Sequence, residues 1–434
     1  MSLYIGIDLG TSGCRAVAID ENNNVCAEAG TTVPLPLRKG KFIEQEPDVW
    51  WQATQRTLKD LSKKIDPSQV KSIAVDGTSG TLILCDKKGK AIHSAIMYND
   101  NRAKEEAVRI KQYALKESAA HGPTSALAKL LWLQNKQITP RADHAQLQAD
   151  WITGHLCGRF GVSDINNALK LGYDPIKNEW PSWLNKINAP TKLLPKVVKS
   201  GSVVGSIKFE LTERFNFPIT TQIIAGTTDS TASFLATGAH KTGEAVTSLG
   251  STLVLKVLAD KPVFEPKYGV YSQPVNDKWL VGGASNSGGA VLLKFFTVDQ
   301  LVEMTPQLKP ALRTNLNYYP LSMRGERFPI NDPELPPNLM PRPTDDITFL
   351  QGLLEGIADI EHQGYDLLHA LGAPSPTKIY TTGGGANNAP WTTIRSFELN
   401  VPIVTSDQTE AAYGSALLAK QGSVKLMENL TSFE

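Results

Sequence analysis

Residues 4–20, from Tyr4 to Asp20, confine this chain to a small set of folds. Two apolar runs flank a turn of Gly10, Thr11, Ser12 and Gly13, a pattern that reads as strand, tight turn, strand. Glycines let backbone N–H groups approach an anion, and the Thr11 and Ser12 hydroxyls add donors. Asp8 ends the first strand, where a carboxylate can hold a cation against that anion. No Gly-Lys-Ser/Thr leads into a helix, so this is not a Walker loop. Taken alone, the stretch reads equally well as an ordinary glycine-containing hairpin.

Residues 243–256 repeat the same logic. Ser248-Leu249-Gly250-Ser251-Thr252 echoes Asp8-Leu9-Gly10-Thr11-Ser12, again with apolar runs on both sides. Two such hairpins in separate halves imply an internal duplication with phosphates held between the halves. A length of 434 residues suits two domains, expected here as residues 1–228 and 229–434. Next to that boundary, residues 222–226 read as a buried strand and a small-residue helix starts near Asp229. The first turn of a helix stabilises a carboxylate and keeps its pKa low. Asp is also a common N-cap, and position alone does not separate the two roles.

Residues 71–75 form a short apolar strand running into Asp76-Gly77-Thr78-Ser79-Gly80, and residues 81–85 leave that turn as another strand. Small polar residues at strand ends lie where ligands bind in α/β folds. In Tyr98-Asn99-Asp100-Asn101-Arg102, the acid and the base either contact polyol hydroxyls or cap a solvated helix. Helical periodicity covers residues 125–133 and 146–156. The proline-rich residues 320–343 read as a surface excursion, and a helix follows over 349–371. The strand at 378–382 runs into Gly383-Gly384-Gly385, which permits close backbone approach to a flat or anionic ligand before a helix begins. A flexible connector is the alternative. The final helix, over 409–420, is expected to pack on the second domain, with a polar tail that frays beyond it.

Composition narrows the function classes. Apolar residues make up 41% and charged residues 20%, with a formal net charge of +1, which suggests neither a nucleic-acid nor a membrane surface. Cys14, Cys26, Cys85 and Cys157 form no CxxC pair and have no nearby histidine in ligand spacing, so reduced thiols in a reducing compartment are expected. The first strand begins almost at once, and no run approaches the ~18 apolar residues of a membrane helix. A cytoplasmic protein is the expectation, monomeric or homodimeric.

Together these segments resemble the FGGY carbohydrate kinases of the actin-like (ribonuclease H-like) ATPase superfamily. The resemblance spans nearly the whole chain. Its markers are residues 8–15, Glu44-Gln45-Glu46-Pro47 with Trp50-Trp51, Thr78-Ser79-Gly80, residues 98–102, and Thr153-Gly154 with Asp164 and Asn167-Ala168. Gly226-Thr227-Thr228-Asp229, Arg324-Gly325-Glu326-Arg327-Phe328-Pro329 and the triple glycine with Ala386 and Trp391 complete them. It implies an α/β fold of two actin-like domains with a cleft between them, hinge closure, and ATP with Mg²⁺. Residues 10–16 are most similar to the compact cyanobacterial and plant pentulose kinases, which implies a ketopentose substrate, D-ribulose foremost and D-xylulose next.

By that resemblance Asp229 is the general base and Asp8 orients Mg²⁺ through water. Thr11, Ser12 and Gly13 donate to the γ-phosphate and the nearby sugar, and Gly250 and Ser251 hold the β/γ side. Gly384, Gly385, Asn388 and Trp391 resemble the adenosine pocket, and Ser79 and Asp100 are weaker sugar contacts. The chain departs from the family where Tyr98 replaces the Trp of Trp-x-Asp-x-Arg. The signature over 125–133 is only partly matched, through Lys129 and Trp132. Glycerol, xylulose and gluconate kinases share these motifs. Two non-enzymes compete: a sugar-binding regulator that has lost catalysis, and a nucleotide-switch chaperone, whose separate peptide-binding domain is not expected here.

Overall fold

The opening hairpin forms the middle of a sheet. In the computed structural model, which describes residues 1–431, the first sheet has six strands. Their order is Val203–Ser206, Gln222–Thr228, Val70–Gly77, Leu3–Leu9, Gly13–Ile19 and Val25–Thr32. Leu3–Leu9 runs antiparallel to Gly13–Ile19 and parallel to Val70–Gly77. Side chains alternate across the strand. Ile5, Ile7 and Leu9 join a core with Trp50 and Trp151. Tyr4 joins a second core with Ala412 and Ala416 of the closing helix. Smaller sheets, one of five strands and one of two, complete this unit.

The chain divides into residues 1–236 with 410–434, and residues 237–409. This differs from the expected boundary after residue 228 in two ways. The helix Asp229–Ala236 stays with the first unit, and so does the closing helix Ala411–Thr431. The expectation that the last helix packs on the second domain is therefore corrected. That helix lies on Leu3–Leu9, Val70–Gly77 and Asp229–Ala236. Small residues make the approach possible. A Cβ on Gly6 would lie 1.9 Å from the Ala412 carbonyl oxygen, and one on Gly414 would lie 1.9 Å from that of Ala232. The tail expected to fray after residue 420 stays helical to Thr431; its last residues, 432–434, lie outside the described ones.

The second unit repeats the scheme. Its six strands are ordered Tyr271–Val275, Lys278–Ala284, Leu253–Ala259, Glu244–Leu249, Lys378–Thr382 and Ile403–Thr405. Again a hairpin, Glu244–Leu249 with Leu253–Ala259, lies beside a parallel strand that arrives from far along the chain. Asp346–Ala370, capped by the Asp345 carboxylate, is this unit's long core helix. The proline-rich stretch is irregular, as expected, yet it is no mere surface excursion. Phe328 is buried in the core, and its ring would meet a Cβ on Gly283 at 2.5 Å. Residues 144–147 form a strand before the helix Gln148–Cys157, which shortens the helix expected from residue 146. Among the described residues no helix is long and apolar enough to cross a membrane.

Candidate active site

Parallel pairing brings carboxylates together at one end of the first sheet. Asp8 pairs with Asp76 across Leu3–Leu9 and Val70–Gly77, and Asp76 pairs with Thr227 on the next strand. That strand runs to Thr228, and Asp229 opens the following helix. Asp76 is fully buried, and its Oδ2 accepts a hydrogen bond of 2.5 Å from Ser415 Oγ. Its Oδ1 takes no donor among the described residues. Burial, then the charge of Asp8, and more weakly that of Asp229, push the Asp76 carboxyl well above the ordinary range. Burial also raises Asp8, while the hydrogen bond from Asp76 and the charge of Arg15 pull the other way. Burial thus disfavours the charged form of both acids, most of all at Asp76, which has no exposed surface.

Such a pair suits a hydrated divalent cation on the half-buried Asp8, whose charge would relieve both acids. No group of three or more His, Cys, Asp or Glu side chains among the described residues is arranged to cage a metal. Asp229 Oδ1 accepts the Ser230 N–H at 2.6 Å. Beside these acids, Gly10 N–H donates to the Gly13 carbonyl at 2.9 Å and closes the turn. Thr11 and Gly13 are half-buried and Ser12 is exposed.

A second cluster in this unit forms around Ser79. The Thr78 N–H and hydroxyl donate to Gln148 Oε1 at 3.0 and 2.7 Å, and Gly80 follows with φ +88°. The Tyr98 N–H donates to Thr81 Oγ1 at 3.0 Å. Lys129 Nζ, buried beneath both segments, donates to the carbonyls of Gly80 at 2.9 Å and Tyr98 at 3.4 Å. Burial lowers its pKa to about 7. Half-buried Ser79 and the exposed Tyr98 ring are held near each other in this way.

Asp100 needs correction as a sugar contact. It has no exposed surface, and its oxygens accept from the Ile43 N–H and from the Arg102 N–H and guanidinium at 2.6–3.0 Å. Arg102 also pairs with Glu44 at 2.6 Å and lies over the Phe42 and Trp132 rings. Neither a sugar contact nor a solvated cap describes it; the pair is a buried internal fastening.

In the second unit Ser248 pairs with Thr382, at the places that Asp8 and Asp76 hold in the first. The tip carbonyls are tied down: Gly289 N–H donates to Gly250 O at 2.9 Å and Ala290 N–H to Ser251 O at 3.2 Å. Beneath the strand ends lies a fully buried network. Arg395 pairs with Glu361 at 2.6 Å and donates to Thr381 Oγ1 at 2.8 Å, while Thr247 Oγ1 donates to Glu361 at 2.5 Å. The triple glycine leans on the turn. A Cβ on Gly383 would lie 2.8 Å from the Leu249 carbonyl, and one on Gly385 would lie 2.5 Å from the Trp391 ring. Gly384 has open space around it.

Trp391 is the second correction. It is buried, and its Nε1 donates to the Leu354 carbonyl at 3.1 Å, so it supports the glycine loop from within instead of stacking on a base. Asn388 caps the helix Ala389–Leu399 through its Oδ1, which accepts the Trp391 N–H at 2.9 Å; its Nδ2 donates to Thr305 Oγ1 at 3.4 Å.

Sequence reasoning did not single out Asp76, although it ends its strand as Asp8 does, and that signal was available. Ser415 carries no local signal, because its partner lies 339 residues away. Residues 3–236 match the N-terminal domain, and residues 245–421 the C-terminal domain, of the FGGY family of carbohydrate kinases. The chain is 25% identical to a xylulose kinase of Bacillus subtilis over 98% of its own length and 89% of the relative's. A xylulose kinase structure from Brucella ovis superposes with a TM-score of 0.89 at 24% identity, covering 98% of this chain and 91% of that one. A Plasmodium falciparum glycerol kinase with ADP gives 0.86 at 21% identity, over 100% and 92%.

Proposed function

The chain belongs to the FGGY family of carbohydrate kinases, and we propose that its acceptor is a ketopentose, D-ribulose foremost, phosphorylated at the terminal hydroxyl. The observation that carries the site is the meeting of Asp8, Asp76 and Asp229 at the strand ends of one sheet. In this reading Asp229 takes the hydroxyl proton as the sugar oxygen attacks the γ-phosphorus and ADP leaves. A base of this kind is worth ~10²–10⁴ in rate. Thr11, Ser12 and Gly13 donate to the γ-phosphate, Gly250 and Ser251 to the β/γ side, and Gly384 and Gly385 line the nucleoside. Mg²⁺, held by Asp8 through water, would neutralise charge on the phosphate oxygens. Ser79 is a sugar contact, with Tyr98 beside it as an aromatic surface.

D-ribulose rests on residues 10–16, which resemble the compact pentulose kinases of cyanobacteria and plants. D-xylulose is the second reading, favoured by the names of the relatives. All four cysteines are free, which supports a reducing, cytoplasmic setting. A coupled ADP-release assay across D-ribulose, D-xylulose, L-ribulose, glycerol and buffer tests the acceptor, with the highest kcat/KM expected for D-ribulose. Turnover in buffer alone at the same rate would overturn a sugar acceptor altogether. Asp229→Ala is expected to keep ATP binding and lose sugar-dependent release; a variant that kept most of its turnover would remove Asp229 as base.

A further inference from the structure

The Arg324–Pro329 motif has no part in the site described so far, yet its one buried acid reaches the second turn through a single short segment. Glu326 is buried within the proline-rich stretch. Its Oε2 accepts from Ser285 Oγ at 2.5 Å and Tyr319 OH at 3.2 Å, and its Oε1 from the Asn286 and Arg327 N–H groups at 2.8 and 2.9 Å. Asn286 Nδ2 donates back to the Gly325 carbonyl at 3.0 Å, and Arg327 Nε donates to the Ala284 carbonyl at 2.7 Å. One side of residues 284–287 is therefore fastened to the motif.

The other side of the same segment is fastened to the turn. Ser285 N–H donates to Leu253 O at 2.9 Å and Leu253 N–H to Ser287 O at 2.7 Å; Gly289 and Ala290 hold the carbonyls of Gly250 and Ser251. Contact is close enough that a Cβ on Gly288 would lie 2.8 Å from Ser251 O, and one on Gly289 2.9 Å from Gly250 O. With its tip carbonyls engaged, the turn can offer an anion only N–H and hydroxyl donors. A carboxylate accepting several donors is stiff, because each bond to a charged group is stronger than a neutral one.

We propose that Glu326 is a positioning residue for nucleotide binding: through residues 285–290 it sets the turn Gly250-Ser251-Thr252 at the place where it meets the phosphates of ATP. This rests on the reading that Gly250 and Ser251 hold ATP. Glu326→Ala in the full chain should raise the KM for ATP by about 10- to 100-fold, since a misplacement of ~1 Å can cost ~10²-fold. The KM for sugar should stay unchanged. Glu326→Gln should return the KM for ATP to within about threefold of wild type, because its carbonyl can accept the two N–H groups while its amide faces the hydroxyls. Gly250→Val separates the two ideas. If it leaves the KM for ATP alone, the reading of the turn fails. If it raises that KM while Glu326→Ala does not, or raises both substrates' KM alike, Glu326 is only a structural fastening. Should Glu326→Ala not fold, Ser285→Ala carries the same test: a selective rise in the KM for ATP supports the proposal, and no change overturns it.

Discussion

The two hairpins share strand order and differ in charge. In the first unit the paired strand ends carry Asp8 and Asp76; in the second the same places carry Ser248 and Thr382. The turns differ as well. The first lies between the paired residues Leu9 and Cys14, the second between Leu249 and Leu253, one residue shorter. Two like charges ~5 Å apart repel by about 3 kcal/mol at an effective dielectric of 20. In the proposed reading a triphosphate would therefore need a cation at the first turn, whereas the second turn would meet it with neutral donors. Two sheets of like strand order thus present different side chains at matching places, two carboxyls in one and two hydroxyls in the other.

Exchanging the charges should break this contrast most strongly. Asp8→Asn is expected to lower kcat by ~10²–10³ and to shift the Mg²⁺ concentration required, as loss of one charged group at a reacting centre commonly does. Ser248→Ala should change kcat/KM by less than about threefold, the size of one weak hydrogen bond. Ser248→Asp should weaken ATP by about tenfold and recover in part as Mg²⁺ is raised. Steady-state kinetics over a Mg²⁺ titration measures all three, and equal effects of Asp8→Asn and Ser248→Ala would erase the distinction.

A smaller difference should appear in stability against pH. The Asp8 and Asp76 carboxyls are raised in the fold, so the folded state holds protons that the unfolded chain releases near pH 4. Their contribution is complete below that pH and is lost as pH rises through the raised values. Asp76→Asn keeps a group that accepts from Ser415 and can donate to Asp8, yet it has no proton to lose. Its melting temperature should exceed wild type at pH 8 and approach it at pH 4, with ~1.4 kcal/mol for each unit of pKa shift relieved. Thr382→Val, at the equivalent place, should shift melting equally at both pH values. Parallel melting curves for Asp76→Asn and wild type would show that the two acids are not coupled.

The smallest effects concern how the second turn is braced. Gly385→Ala pushes a Cβ into Trp391 and Leu249 and should cost about 1–3 kcal/mol of stability, with a weaker grip on ATP. Gly384→Ala meets open space and should stay within ~0.5 kcal/mol. Chemical denaturation of both variants checks the difference.

Much of the site was legible in the residue order. Apolar runs broken by Gly10 and Gly250 mark both hairpins, because a strand needs alternation and a tight anion-facing turn needs glycine or small donors. Asp8 and Asp229 declare themselves by ending a strand and opening a helix. Asp100 and Trp391 did not, since a motif records which residue is present and not whether its hydrogen bonds point inward. Asp100 spends its oxygens on Arg102 and Ile43, and Trp391 its N–H on Leu354.

Local order therefore determined the two hairpins, their glycine turns and the acids at the strand ends. Only the tertiary structure decided that the closing helix returns to the first sheet, placing Ser415 against Asp76, and that Glu326 is buried behind the second turn. The physical reason is range. Strand and turn preferences act over a few residues, whereas the pairing of buried polar groups is set by whichever distant segments can pack closely enough to satisfy them.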